Sequence, residues 1–346
     1  MNIVEAARGV TGGVDTHLEV HVAAALDPLG GILGTKSFPT TPAGYKDLLS
    51  WLQGFGDVRR VGVEGTGTYG AGLARSLSRA GVEVIEVDRP NRQSRRLHGK
   101  SDPLDAIEAA RAAQSGRAGG IAKSRDGAVE AIRVLLVAKR SARQARSKAL
   151  IQMRHLGFSA PEQLQCSLKG LSVTALVSEA AVLAPQESAD VVTALTSAAL
   201  RSLAHRVQIL EDEISELDAL LVPLVEAIAP ELLGLFGVGP DTAAVLLVAA
   251  GDNAERLGSE AAWAQLCGVA PIQASSGKVT RYRLNRGGNR GANQALWRIV
   301  MVRLAHDPET RAYMERRRKE GRSKPEVIRI LKRYVAREVY RHLPRG

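Results

Sequence analysis

Val14-Asp15-Thr16-His17-Leu18-Glu19-Val20-His21-Val22 alternates apolar and polar side chains, with Thr16 out of step. That period of two is the signature of a half-buried β-strand. Asp15 sits inside it, where an apolar strand has no need of a carboxylate. Working outward, a turn at Asp27-Pro28-Leu29-Gly30-Gly31 leads into a second short strand, Gly31 to Phe38. Thr41 is placed to cap a helix to about Gln53, with Ala43, Tyr45, Leu48 and Leu49 on one side. Val58 to Glu64 predicts a third strand. A Gly/Thr turn and a helix near Ala71 to Ala80 follow, and Val82 to Val87 predicts a fourth strand. Alternating elements of this kind predict an α/β domain with a mixed sheet.

From Ser101 the pattern becomes helical. Asp126 to Leu156 is long, Ala-rich and basic, carrying Arg133, Lys139, Arg140, Arg143, Arg146 and Lys148. This helix is open to two readings, an RNA contact or a solvated face. Leu203, Val207, Leu210, Ile214, Leu217, Leu221 and Leu224 follow a 4-3 spacing, a heptad seam. A core-facing bundle helix, a dimerising coiled coil and an intramolecular antiparallel pair all fit that seam. Pro223 is expected to limit its end. Leu232 to Ala243 reads as a helix-hairpin-helix, with backbone amides at the second helix's start able to hold a phosphate. A plain helix corner capped by glycines is the alternative.

The chain has 346 residues, enough for two or three domains. No run of 18 apolar residues is present, so no membrane span is expected. The opening residues lack the basic-then-apolar pattern of a secretory signal. Cys166 and Cys267 make neither a disulfide framework nor a cysteine zinc site, and a reducing cytoplasm is the expected setting. The net charge of +11 is unevenly placed. Pro271 to Gly346 holds 20 basic and 6 acidic residues, whereas the first 270 hold 27 basic and 30 acidic. The final segment therefore carries the whole excess, which points to a polyanionic partner such as nucleic acid.

Four carboxylates stand at strand ends and a helix start. Asp15 lies in the first strand, and Glu64 ends the third in Val61-Gly62-Val63-Glu64-Gly65-Thr66-Gly67. Asp102 and Asp105 open a helix in Lys100-Ser101-Asp102-Pro103-Leu104-Asp105-Ala106. Ser101 or Asp102 suits the N-cap, and Pro103 the first turn. Residues three apart share a helix face. Such a group of acids is costly without a hard cation, and oxygen ligands suit Mg²⁺ or Mn²⁺. Each acid read alone is also a cap or a surface charge. Near the other end, Ser275-Ser276-Gly277-Lys278 precedes Arg281, Arg283, Arg286 and Arg290, a hydroxyl nucleophile beside phosphate-neutralising arginines or simply a loop. Arg316, Arg317, Arg318 and Lys332 are further candidate phosphate contacts, the Arg316 to Lys319 run being also a plausible solvated helix end.

The segments "GVDTH", "VGVEGTGTYG" and "KSDPLDA" resemble the N-terminal DEDD domain of the insertion sequence 110 family of transposases. "GVAPIQASSGK", "RLNRGGNRGAN" and the basic C-terminal segment resemble that family's second domain. The resemblance implies a RuvC-like, ribonuclease H-type N-terminal α/β domain over 1–158. A helical coiled-coil segment over 159–228 and a mainly α domain over 229–346 would follow. It implies an acidic tetrad at Asp15, Glu64, Asp102 and Asp105 working with Mg²⁺ or Mn²⁺, and a nucleophilic serine at Ser276, with Ser275 as runner-up. It further implies RNA-guided DNA recombination through a serine-DNA intermediate. A bridge RNA, donor and target DNA and a homo-oligomer, dimer or tetramer, would take part, with one protomer's acidic site completed by another's serine domain. A metal-dependent nuclease or junction resolvase, and an architectural nucleic-acid binder, are the competing readings.

Overall fold

The computed structural model describes residues 9–87, 101–118, 120–184, 190–274 and 282–344. They form two compact units. One runs through Gly127 and takes in Ala250–Ser259; the other comprises Ala128–Ala249 and Glu260–Pro344.

The first unit is a six-stranded mixed sheet with helices on both faces. Its strands are β1 (Gly9–Thr16), β2 (Val20–Leu26), β3 (Ile32–Pro39), β4 (Asp57–Glu64), β5 (Glu83–Val87) and β6 (Gly120–Ile121), in spatial order β3-β2-β1-β4-β5-β6. β4 runs parallel to β1 and β5, and the remaining pairs are antiparallel. The expected single strand over Val14–Val22 is thus a hairpin that reverses at 17–19. Hydropathy alternation passes unbroken through this turn because its middle residue, Leu18, is apolar yet 68% exposed. The strands expected over 31–38, 58–64 and 82–87 and both early helices lie within a residue or so of their expected places, whereas β6 is a strand in a stretch expected to be helical.

Pleat decides what covers each face. Val14, Val61 and Val63 point to one side. There they meet Leu48 and Leu52 of α1 (Pro42–Gln53) and Leu73 and Leu77 of α2 (Ala71–Arg79). Thr41 caps α1 by accepting from the Gly44 amide, and Pro42 occupies its first turn. Gly13, Asp15, Gly62 and Glu64 point to the other side, which α3 (Asp102–Gln114) covers. A Cβ on Gly13 would overlap the Ala106 carbonyl and the Ala110 amide nitrogen, and one on Gly62 would overlap the Ala109 carbonyl. The helix lies on the backbone of β1 and β4 because glycine and alanine leave nothing between them.

The second unit is mostly helical. Two long helices, α4 (Ala128–Phe158) and α7 (Val191–Ile228), pack antiparallel, with α5 (Glu162–Leu168) and α6 (Val173–Ala181) between them in the chain. The ladder of ion pairs Lys139–Asp218 and Arg146–Glu211 sets the direction. The antiparallel pairing within the chain is one of the three readings of the heptad seam, and Val207 lies in one core with Ala149 and Met153 of α4. Pro223 does not end α7. The helix runs five residues further, to Ile228, because buried Leu221 and Val225 hold the turn on which the exposed proline sits. After α8 (Pro230–Leu233) and α9 (Pro240–Ala250) come α10 (Glu260–Leu266), the two-stranded ribbon β7 (Ile272–Gln273) and β8 (Tyr282–Arg283), α11 (Arg290–His306), α12 (Pro308–Lys319) and α13 (Lys324–Arg341). No helix among the described residues is long and apolar enough to cross a membrane.

Candidate functional site

The acidic site is assembled by the parity of two strands and the seat of one helix. Val14 pairs with Val63, so Asp15 and Glu64 follow one step on, at neighbouring strand ends on the face that α3 covers. The Thr16 hydroxyl donates to the Glu64 carbonyl oxygen at 2.7 Å and ties the two ends together. The first turn of α3 supplies Asp102 and Asp105 beside them. Their charges also sit favourably at the helix's positive end. Ser101 holds the N-cap position without a side-chain hydrogen bond.

Asp15 is 7% exposed and Asp105 2% exposed. Asp102 lies at the open edge, with half of its side chain in solvent. Burial pushes the Asp15 carboxyl above its ordinary value; nearby His17 opposes this, while the charges of Asp105 and Asp102 add to it. Low dielectric and like charges both disfavour a second anion in such a space. Charge-bearing carboxylates here call for a counter-cation.

Sequence reasoning missed His17. Its Nε2 stands 3.2 Å from Asp15 Oδ2 and 3.5 Å from Asp102 Oδ2. One ligand atom each from Asp15, His17 and Asp102 lies within 4.8 Å of the others, the geometry of a possible cation site. The signal was present as Asp-x-His at the end of a strand, but His17 reads as one more polar position when the hairpin is taken for a strand. Arg125 was also missed. It holds a left-handed backbone, φ 53°, and its guanidinium lies against Gly67 in the loop that follows Glu64.

In the second unit the basic candidates gather around two adjoining clefts. One, of about 650 Å³, is lined by Arg286, Arg290, Asn293, Arg329 and Lys332. Its neighbour, of about 540 Å³, contains Arg283, Arg329, Lys332 and the strand end at Tyr282. Lys332 Nζ donates to Asn293 Oδ1 at 2.9 Å, and the Asn293 amide donates to the Cys267 carbonyl, so the lysine head is held in place. Burial and the adjacent Arg329 lower the Lys332 pKa. Arg316 and Arg317 cluster on the Tyr313 ring, and Arg317 pairs with Glu320. Arg318 is exposed and lines neither cleft. Ser275, Ser276, Lys278 and Arg281 lie outside the described residues; the ribbon β7–β8 brackets them, Gln273 pairing with Tyr282.

The hairpin before α9 takes a different character from the phosphate cradle it resembled. Gly237, φ 85°, makes the turn, but the first turn of α9 carries Asp241, which accepts from Lys139 and Arg143. The chain's own carboxylate answers that helix's positive end. Arg140, Arg143, Lys148 and Arg298 line a broad groove beside it, so the long basic helix does present charge on one side.

Two family profiles match this chain. A family profile described as "Transposase", for the DEDD domain of IS110, matches residues 12–156. A second, "Transposase IS116/IS110/IS902 family", matches 229–315. The chain is 33% identical over 135 residues to "Insertion element IS110 uncharacterized 43.6 kDa protein" of Streptomyces coelicolor, covering 38% of this chain and 33% of that protein. It is 27% identical over 142 residues to "Insertion element IS900 uncharacterized 42 kDa protein" of Mycobacterium paratuberculosis, covering 40% of this chain and 36% of that one. The chain thus spans about a third of the length of the curated relatives it matches. Both profiles are those of transposases, and they lie in this order on one chain. The chain belongs to the IS110 family.

Proposed function

We propose that this protein cuts and rejoins DNA as the transposase of an insertion sequence, using a metal-bound acidic site together with a serine nucleophile. The observation that carries the reading is the gathering of Asp15, Asp102 and Asp105 on the face of the sheet where β4 ends in Glu64. The mixed sheet, with acids at adjacent parallel strand ends, supports a RuvC-like, ribonuclease H-type assignment. The carboxylates of the site are oxygen donors, which fit Mg²⁺ or Mn²⁺. Such an ion would be held by Asp15, Glu64, Asp102 and Asp105, and would supply positive charge where a phosphoryl transfer develops negative charge.

In this reading the Ser276 hydroxyl, or Ser275 as the alternative, attacks a DNA phosphate. A serine–phosphate ester forms as one DNA phosphate ester breaks, and the hydroxyl proton passes to the departing DNA oxygen. One ester replaces another, so rejoining needs no external energy source. Arg283, Arg286, Arg290 and Lys332 around the clefts supply sequence-neutral phosphate contacts; Lys278, Arg281, Arg316, Arg317 and Arg318 extend that set. Aromatic residues make up only 4% of the chain, a poor supply for base stacking, which supports leaving site choice to a bridge RNA. The modules over 1–158, 159–228 and 229–346, the homo-oligomer and the cytoplasmic setting belong to the same proposal.

A metal-dependent nuclease or junction resolvase is the second reading. It is favoured by the acidic site being complete within the first unit, with no demand on a serine. Denaturing gels of protein incubated with element-end DNA, Mg²⁺ and RNA from the element's flank separate the two. A protein–DNA adduct lost in Ser276→Ala, and absent in Asp15→Ala, is the expected result. Cleaved DNA with no adduct in any variant would establish the nuclease instead.

A further inference from the structure

We propose that His17 is a metal ligand of the acidic site, adding an imidazole nitrogen to its carboxylates and biasing it towards Mn²⁺ over Mg²⁺. The inference rests on the acidic site being a metal site, as argued above, and goes beyond it in assigning a residue and a selectivity.

Three observations converge on the nitrogen. Nε2 of His17 is buried, although much of the ring's remaining edge is open to solvent. That atom faces the Asp15 and Asp102 carboxylates, 3.2 and 3.5 Å away. Ligands about 2.1 Å from a small divalent ion stand up to about 4.2 Å from one another. The trio, within 4.8 Å, therefore closes on one ion with small side-chain shifts.

The backbone makes the placement firm. His17 is the first residue after β1, and its carbonyl accepts from the Thr40 hydroxyl at 3.2 Å. Thr16, immediately before it, is fastened to the Glu64 carbonyl. The ring thus leaves the strand at a point fastened to the end of β4 and to the residue that follows β3. Imidazole suits transition ions, and Mg²⁺ favours all-oxygen shells, so the nitrogen discriminates between ions that carboxylates treat alike.

The test uses the full-length protein, Mn²⁺ alone, and Mg²⁺ as competitor. Free Mn²⁺ is read by electron paramagnetic resonance, and electron spin echo modulation reads nitrogen-14 bound to the ion. Wild type is expected to show nitrogen coupling. His17→Ala should lose it and bind Mn²⁺ about tenfold or more weakly, with Mg²⁺ affinity changing less than about threefold. His17→Gln, which keeps a polar side chain but no imidazole, should behave like His17→Ala; if it binds Mn²⁺ as wild type does, His17 is a positioning group and the ligand assignment fails. If His17→Ala keeps both the coupling and the Mn²⁺ preference while Asp15→Ala loses the ion, the assignment also fails and the metal site stands. If Asp15→Ala binds as well as wild type, the metal-site reading itself is overturned and this inference with it.

Discussion

In the first unit, charges of one sign are pressed together by the close approach of backbones; in the second, charges of the other sign stand around open clefts. Asp15 and Asp105 are buried because α3 rests on Gly13 and Gly62 with only alanines between. Arg286, Arg290 and Arg329 surround a cleft in which Lys332 is positioned by a single asparagine. Shape decides the acidic region and charge decides the basic one. An acid site for a small ion needs ligand positions good to a fraction of an ångström. A duplex backbone is a repeating line of charge, and cations at its side tolerate play. The two regions should accordingly break in different ways.

The largest effect is expected from Gly13→Leu. The new side chain has backbone on its path and nothing there can swing aside. Overpacking of this kind costs about 3 kcal/mol, and denaturant unfolding should show that loss together with loss of metal binding. If Gly13→Leu folds with unchanged stability, the seating of the helix on bare backbone is not what builds the site.

Asp15→Asn should reduce DNA cleavage by about a hundredfold or more, yet stabilise the metal-free protein. The sign follows from the raised pKa of Asp15, set by burial first. A carboxyl raised on folding favours the fold at low pH, and that contribution is lost as pH rises through the folded pKa. At neutral pH the charged Asp15 is a burden that asparagine removes. Thermal unfolding in chelator from acid to neutral pH should show wild type losing stability where Asp15→Asn does not. An Asp15→Asn protein less stable than wild type at neutral pH would refute the burial argument.

Arg286→Ala with Arg290→Ala should leave the fold intact and weaken DNA binding about tenfold. The slope of log affinity against log salt should fall by about one for each phosphate no longer neutralised. An unchanged slope would remove these arginines from the interface. The smallest effect is expected from Gly239→Ala in the hairpin, where an added Cβ meets nothing within 4 Å. Its stability change should stay within about 0.5 kcal/mol, in contrast to Gly13, and a larger value would show that open glycines also carry structure here.

Much of the fold was legible because it is local. Thr41 capping α1, Pro103 in the first turn of α3 and the strand over Val58–Glu64 depend on residues a few positions apart. The hairpin at 17–19 was not legible, since a short turn with an apolar tip preserves the alternation that marks a strand. The run of α7 through Pro223 was not legible either, because burial of Leu221 and Val225 outweighs the proline's missing amide. At the site, strand-end carboxylates and resemblance pointed to Asp15, Glu64, Asp102 and Asp105. His17 escaped because a side chain in an unrecognised turn has no expected direction.

The sequence by itself determined most of the first unit's strands and helices, the Thr41 cap of α1 and that positive charge belongs to the final segment. All of these follow from short-range periodicity and composition. Only the tertiary structure decided that α7 turns its heptad seam on α4, that Asp241 pairs with Lys139, and that His17 joins Asp15 and Asp102. Those outcomes hang on the meeting of residues remote in the chain. Gly13 against Ala106 and Ala110 is the clearest case: the missing side chain on β1 has meaning only once the helix that fills its place has arrived.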